Sequence, residues 1–404
     1  MKVKIEKGIA CGTVKAPPSK SMAHRLLICA AMAEGESIIH GISSCDDVSA
    51  TLECLRALGV ETIVSGDDVT VRGIDFTKAV PNAPLSAGES GSTLRFLIPP
   101  AALSESTTVF YGKEGLMARP MSVYEKLFNE KGITYINDKK SIVVRGRLTG
   151  GTYNVVGNVS SQFISGLLFA LPLCKEDSII KIAPPIESRS YIELTLSALR
   201  DFKIKAEWSD EHTIKIPGGQ KYTPTELTVE GDYSGAAFTE ALNLFDGEVS
   251  VSGLSEDSLQ GDGAYRRYFE MISRGTPSIH IGDCPDLGPI LFALAAAKSG
   301  GIFSGTKRLR IKESDRSATM AEELKKFGAS VSVYEDTVVV YPKEFHAPNE
   351  VLYGHNDHRI VMSLAILLTL TGGEIDGAEA VNKSYPDFFE SLKSLGIGVS
   401  EYDV

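Results

Sequence analysis

LECLRALGVETIVSGDDVTVRG, residues 52–73, carries the fold in miniature. A helix-like run closes on Leu55-x-x-Leu58-Gly59, and two short alternating strands follow, joined at Ser65-Gly66-Asp67. A glycine directly after the last apolar helical position is the residue expected past a helix C-terminus. Turn residues between two alternating runs predict a strand pair. The same order recurs in EKLFNEKGITYINDKKSIVVRG (125–146), LSALRDFKIKAEWSDEHTIKIPG (196–218), LKKFGASVSVYEDTVVVYP (324–342) and LKSLGIGVSEY (392–402). In the third of these five, Lys203 stands where the others have glycine. YFEMISRGTPSIHIGD (268–283) is a weaker copy. Copies spaced roughly 50–75 residues apart indicate an array of supersecondary units, with a period too long for the common solenoids. Helices alternating with strands give an α/β class; chance recurrence in an ordinary α/β protein is the competing account.

The chain of 404 residues has room for two or three domains, at roughly 150 residues each. Hydrophobic residues make up 43% and charged residues 23%, so disorder is not the default. A formal net charge of −11 argues against nucleic acid as the main partner, which would require a basic face. Small anions remain open, provided Arg and Lys are gathered locally. The cysteines at 11, 29, 45, 54, 174 and 284 form no CxxC pair, as expected of thiols in a reducing compartment. MKVKIEKGIA reads as a strand rather than a signal peptide. The longest apolar stretch, 360–370, is about half a membrane span. A cytoplasmic protein without a membrane segment is expected.

Polar and charged residues collect just before apolar helices. PPSKSMAHRLLICAAMAEG (17–35) begins with prolines that bar an earlier start, and Ser19 or Ser21 can cap the helix. Lys20 with His24, and Ser21 with Arg25, are four apart and share a face. Free backbone N–H groups at such an end attract phosphate. SAGESGSTLRFLIPPAAL (86–103) has Gly88 and Gly91, which permit close approach of backbone to a ligand, beside Ser92, Thr93 and Arg95. It lacks the ending of a nucleotide P-loop. NVSSQFISGLLFALPL (158–173) leads with Ser160, Ser161 and Gln162, and SRSYIEL (188–194) with Ser188, Arg189 and Tyr191. EGDYSGAAFTEAL (230–242) offers Asp232 and Ser234 as a cap or hinge.

CPDLGPILFALAAAKSG (284–300) sets Asp286 before an apolar helix, either as a cap or as a general base among desolvating neighbours. RLRIKESDRSATMAEELKKFGA (308–329) gathers Arg308, Arg310, Lys312, Glu313, Asp315 and Arg316. HNDHRIVMSLAILL (355–368) brings His358 and Arg359, and VNKSYPDFFESLKSLG (381–396) brings Lys383. His355, Asp357 and His358 could make a metal set, but no metal is expected there. Each helix dipole adds only about 0.3–1 kcal/mol for a nearby anion. Removing a buried Arg from an anion costs about 2–5 kcal/mol, so the side chains decide affinity. A polyanionic ligand with carboxylate and phosphate groups is predicted, bound where several helix N-termini face one cleft.

The strings PPSKSMAHR, GESGSTLRF, ARPM (118–121), SSQFISGLL, PDLGPILFA, RIKESDR, NDHRIVMS and VNKSYPDFF occur in this order along the chain. In them the chain resembles the EPSP synthase family, the 3-phosphoshikimate 1-carboxyvinyltransferases, over nearly its whole length. The resemblance implies an α/β fold of two similar domains, each of three βαβαββ-type units in an inside-out α/β barrel, with the active site in the interdomain cleft. It implies crossovers near 14–16 and 229–232, so that residues 1–14 plus 231–404 form one domain and 15–230 the other. It also implies transfer of the enolpyruvyl group of phosphoenolpyruvate to the 5-hydroxyl of shikimate 3-phosphate. That reaction is a step of aromatic amino-acid biosynthesis and needs no metal or organic cofactor. A monomer is implied, as is competition between glyphosate and phosphoenolpyruvate.

Carried over by motif, Asp286 is the base, Glu313 the proton donor or relay, and Lys20 lies beside them. Lys20, Ser21, Arg25, Ser160, Ser161, Gln162, Ser188, Tyr191, Asp286 and Lys312 are the residues for shikimate 3-phosphate. Lys20, Gly91, Arg119, Gln162, Arg316, His358, Arg359 and Lys383 are those for phosphoenolpyruvate. Two departures stand out: Glu89 and Arg308 occupy positions where many members have Asn. A carboxylate at 89 would repel an anion unless paired or turned away, so neither residue is assigned a role. The alternatives are the sister transferase acting on UDP-N-acetylglucosamine and a silent anion-binding protein on the same fold. Lys20-Ser21 and Gly115–Pro120 fit the shikimate enzyme better than the sister, and retention of Lys20, Asp286 and Glu313 speaks against silence.

Overall fold

The computed structural model describes residues 1–402. The chain divides into two compact units, Met1–Pro17 with Gly231–Val404 (unit one) and Pro18–Glu230 (unit two). Residues 15–17, placed in the second domain on sequence, belong to unit one. Strand pairing explains this: Cys11–Lys15 runs parallel to Glu248–Ser252, and Ala16 N donates to Ser252 O at 2.9 Å.

Unit two contains helices α1 (Lys20–Met32), α2 (Asp46–Ala57), α3 (Gly91–Ala101), α4 (Glu114–Met117), α5 (Ser122–Glu130), α6 (Ser161–Ala170) and α7 (Arg189–Asp201). Its three sheets share one plan, a parallel pair extended by an antiparallel hairpin. Gly151–Val156 pairs parallel with Ser178–Ala183, which pairs antiparallel with Thr213–Ile216, and that strand with Glu207–Asp210. Leu85–Ser86, Thr108–Tyr111, Ser141–Arg145 and Thr134–Asn137 repeat the order. In the remaining sheet the parallel partner of Gly35–His40 is Glu226–Thr228, brought in from the far end of the unit.

Unit one contains α8 (Tyr233–Glu240), α9 (Tyr265–Arg274), α10 (Gly288–Ala297), α11 (Arg316–Lys326), α12 (His358–Thr371) and α13 (Phe388–Ser394). Ser278–His280, Gly301–Ser304, Thr337–Tyr341 and Ser330–Val333 follow the same plan. So do Leu352–Tyr353, Gly373–Asp376, Lys2–Ile5 and Val399–Tyr402, where the N-terminal strand supplies half of the last hairpin. The third sheet stops at two strands.

The punctuation seen in the sequence has a common geometry. Gly59, Gly132, Lys203, Gly328 and Gly396 all have φ between 66° and 96°. The residue after each donates back to the residue five earlier, as in Val60 N to Leu55 O at 3.0 Å and Ile204 N to Leu199 O at 2.9 Å. This is the helix-ending motif that a left-handed residue permits. The weak copy departs from it. Gly275 is not in the left-handed helical region (φ 151°, ψ −149°), and strand Ser278–His280 follows it. That strand begins the next sheet instead of a hairpin.

Helix α10, GPILFALAAA, is buried from Gly288 to Ala296, and α12 from His358 to Thr369. In unit two α3 and α6 pack on each other and are almost wholly buried. A helix that is apolar all round must be enclosed, so its polar residues collect at its ends. Among the described residues no helix is long and apolar enough to cross a membrane.

Candidate active site

In unit two three of the serines before the helices act as side-chain caps. Ser19 accepts from Met22 N, Ser90 from Thr93 N and Ser160 from Gln162 N. Each satisfies one free backbone donor and fixes where the next residues point. Lys20 opens α1, and its Nζ lies 2.7 Å from Asp47 Oδ2 in the first turn of α2. Ser21, one residue on, contributes its carbonyl oxygen to Arg25 Nη1 at 2.6 Å.

Arg25 is buried. Its Nε donates to Thr195 Oγ1 at 2.9 Å and its Nη2 to Tyr191 O at 2.9 Å. The guanidinium lies 5.0 Å from the Phe96 ring and 6.0 Å from that of Tyr191. These partners are neutral, and burial pushes the guanidinium down to about 10, which leaves it charged at neutral pH. A buried cation held by neutral acceptors is suited to an anion. Ser188 and Tyr191 begin α7, with Ser188 buried in a left-handed conformation (φ 56°).

A second group forms where α3 and α6 begin. Gln162 Oε1 accepts from Arg95 Nη1 at 2.7 Å, and Gln162 Nε2 donates to Ser92 Oγ at 3.0 Å. A Cβ on Gly91 would meet Arg119 Nη1 at 2.9 Å and Arg95 Nη1 at 3.4 Å. Gly91, Gln162 and Arg119 are thus neighbours, with Ser160 and Ser161 on the same helix start. Glu89, close by, is paired with Lys113 Nζ at 2.8 Å, which resolves the repulsion expected of a bare carboxylate there.

In unit one a dense charge cluster surrounds Asp286. Arg316 Nη1 reaches Asp286 Oδ1 at 2.8 Å, Lys312 Nζ reaches the same oxygen at 3.3 Å, and Arg359 Nη2 reaches Oδ2 at 3.3 Å. Arg316 Nη2 also lies 2.7 Å from Glu313 Oε2, and its Nε 2.8 Å from Asp357 Oδ2. Burial opposes the charge on Arg316, but Asp357, Glu313 and Asp286 outweigh it and raise its pKa well above the ordinary value. Burial lowers Lys312, with Asp286 pulling the other way. Arg359 is buried, and its Nε and Nη1 have no hydrogen-bond partner among the described residues. Unsatisfied buried donors of this kind mark a place for an anion. His358 is buried beside Arg359 in the first turn of α12. Lys383 is buried, and its Nζ donates to Asn356 O at 2.6 Å.

The expected residues therefore form two groups in unit two and one in unit one. Three partners were not foreseen. Asp47, which holds Lys20, was not singled out in the sequence, and Asp357, which holds Arg316, was considered only as a metal ligand. Arg95 was noticed beside Gly91, but its bond to Gln162 joins positions far apart in sequence. The metal set His355, Asp357 and His358 does not form, because the Asp357 carboxylate is used by Arg316, Ser314 and the N–H of Arg359. Arg308 is buried, with Nη1 3.4 Å from Gly282 O.

The model of the family described as EPSP synthase (3-phosphoshikimate 1-carboxyvinyltransferase) matches residues 6–392. A 3-phosphoshikimate 1-carboxyvinyltransferase of Clostridium perfringens is 40% identical over 409 aligned positions, covering 95% of this chain and 96% of that one. One from Clostridium acetobutylicum is 40% identical over 424 positions, covering 100% and 99%. Among solved structures, EPSP synthase from Acinetobacter baumannii superposes with a TM-score of 0.80 at 25% identity, covering 99% of this chain and 100% of that one. With its motifs in order along nearly the full length, the chain belongs to the EPSP synthase family.

Proposed function

We propose that this protein transfers the enolpyruvyl group of phosphoenolpyruvate to the 5-hydroxyl of shikimate 3-phosphate and releases phosphate. Family membership supports the reaction. One geometric observation carries the mechanism: two carboxylates, Asp286 and Glu313, share the guanidinium of Arg316 at 2.8 and 2.7 Å. The chemistry needs opposite proton tasks close together. The 5-hydroxyl loses a proton as its oxygen bonds to C2 of phosphoenolpyruvate, and C3 of phosphoenolpyruvate gains one. The tetrahedral adduct then loses phosphate from C2 and a proton from the methyl carbon, which restores the double bond. Asp286 is the base for the hydroxyl and Glu313 the donor to C3, and Lys20 is assigned to the same chemistry by its motif.

Arg25 is the anion-holding residue for shikimate 3-phosphate, with Ser21, Ser160, Ser161, Gln162, Ser188, Tyr191 and Lys312. Arg119, Arg316, Arg359 and Lys383, with Gly91 and His358, hold phosphoenolpyruvate and the departing phosphate. Cations placed where charge develops lower the barrier to its departure. No metal or organic cofactor enters these steps. The protein is proposed to work in the cytoplasm, in keeping with six free cysteines, and as a monomer. Glyphosate competes with phosphoenolpyruvate for the same cations; inhibition indifferent to phosphoenolpyruvate concentration would remove that assignment. The test of function is phosphate release with both substrates present and with each omitted. Release only with a UDP-sugar acceptor would overturn the choice of substrate.

A further inference from the structure

Glu323 is fully buried in α11, two turns beyond Arg316, and has no part in the chemistry above. Its Oε1 accepts from His355 Nε2 at 3.0 Å and from Lys326 Nζ at 3.0 Å, while Oε2 accepts from Tyr353 N at 3.0 Å. Two of these donors belong to the turn that leads from strand Leu352–Tyr353 into α12. In that turn His355 and Asn356 are both left-handed, with φ of 49° and 52°. Neither is glycine, and two such residues in succession persist only where their surroundings hold them. Glu323 holds one side. On the other, Asn356 O accepts from Lys383 Nζ at 2.6 Å, and Asp357 N donates to Gly354 O at 2.9 Å.

The same turn ends on Asp357, which caps α12 through Arg359 N at 2.9 Å and receives Arg316 Nε at 2.8 Å. Its shape therefore sets three cations together: Arg359 by the direction of the helix start, Lys383 through the Asn356 carbonyl, and Arg316 through Asp357. Glu322, Glu323 and His355 also bring ligand atoms within 4.8 Å of one another. A metal ion there would compete with the Lys326 ammonium for the oxygen that meets His355.

We propose that Glu323 is a positioning residue for phosphoenolpyruvate, acting by tying Tyr353 and His355 so that the turn at 353–357 presents Arg359, Lys383 and Arg316. This rests on the assignment of those three cations to phosphoenolpyruvate. Most residues assigned to shikimate 3-phosphate, among them Arg25, Ser160, Ser161, Ser188 and Tyr191, lie in the other unit. Those in this unit, Lys312 and Asp286, are linked to the turn at 353–357 through Arg316 and Arg359, so the KM of shikimate 3-phosphate is the internal control.

The experiment measures KM for each substrate in Glu323→Gln, His355→Asn and Arg359→Ala. Asn tolerates the left-handed conformation but is too short to reach Glu323, and His355 is partly exposed, so this variant tests the tether in a folded protein. The tether variants are expected to raise the phosphoenolpyruvate KM about tenfold while the acceptor KM stays within about twofold. If Arg359→Ala raises the phosphoenolpyruvate KM and neither tether variant does, the inference is overturned. It is equally overturned if the tether variants raise both KM values together. An unchanged KM in Arg359→Ala would instead remove the underlying assignment of the cations.

Discussion

Arg316 Nη1 lies 2.8 Å from Asp286 Oδ1, with the arginine side chain 1% exposed and the aspartate 22%. The same guanidinium also meets Glu313 and Asp357, so it is the common counter-charge of three carboxylates. Arg316→Ala leaves all three without it. Breaking a buried pair costs about 3–5 kcal/mol, and here the loss should appear in stability as well as in activity. Arg316→Lys should restore little, because an ammonium cannot reproduce a planar fork shared among three acceptors. Chemical denaturation is the check; a midpoint equal to that of the parent would contradict the shared-charge account.

Asp286→Ala separates chemistry from binding. A base acts in the transition state, so kcat should fall by about 10²–10⁴ while the two KM values move much less. Steady-state kinetics with both substrates varied is the measurement. A variant with parental kcat would strip Asp286 of its role.

Arg25→Ala tests the acceptor site. Its present partners are Thr195 Oγ1 and the carbonyls of Ser21 and Tyr191, so the change exposes no carboxylate to repulsion. Losing the cation from a bound phosphate costs about 2 kcal/mol or more, near 30-fold in affinity. The KM of shikimate 3-phosphate should rise accordingly, with that of phosphoenolpyruvate little changed. No rise in the acceptor KM would refute the placement.

Gly91→Ala tests the second group in unit two. The new methyl would stand 2.9 Å from Arg119 Nη1, closer than van der Waals contact allows. The guanidinium is the far end of a flexible chain, so it moves and the fold survives. Gly91 has no positive φ, hence no backbone strain is added. The expected result is a raised phosphoenolpyruvate KM with an unaltered melting temperature. A fall in melting temperature without a kinetic change would show that Gly91 serves packing instead.

The fold was legible where one residue type does one physical job. Gly59, Gly132, Gly328 and Gly396 mark helix ends because they adopt positive φ, and Lys203 was recognised only because its neighbours matched the pattern. The weak copy misled because Gly275 stands at the right position with a different backbone conformation. In the candidate site the charged residues were legible from their motifs: Lys20, Arg25, Asp286, Arg316 and Arg359 all stand at or near helix starts. Their partners were not legible. Asp47 meets Lys20 across two helices, Asp357 meets Arg316 across 41 positions, and Glu323 meets His355 across 32. Such pairings depend on how helices are brought side by side, which no local pattern records.

His40 provides a pH-dependent test of how unit two is closed. It ends strand Gly35–His40, between the strand Glu226–Thr228 from the far end of the unit and the hairpin strand Asp68–Gly73. Nε2 lies 2.9 Å from Glu226 Oε1 and Nδ1 2.9 Å from Asp68 Oδ1. Hydrogen bonding to Glu226, then to Asp68, raises the imidazole pKa above its ordinary value. Folding therefore favours the protonated ring. The stabilisation is complete below the unfolded value of about 6.5 and fades as pH climbs through the raised folded value. His40 is partly exposed and both carboxylates are exposed, so the effect is small and weakens with salt. The parent should exceed His40→Asn in melting temperature most below about pH 6.5, and the difference should shrink as pH rises through the raised folded value. A histidine titration by NMR with its midpoint at or below about 6.5 would show that the two carboxylates do not hold the ring.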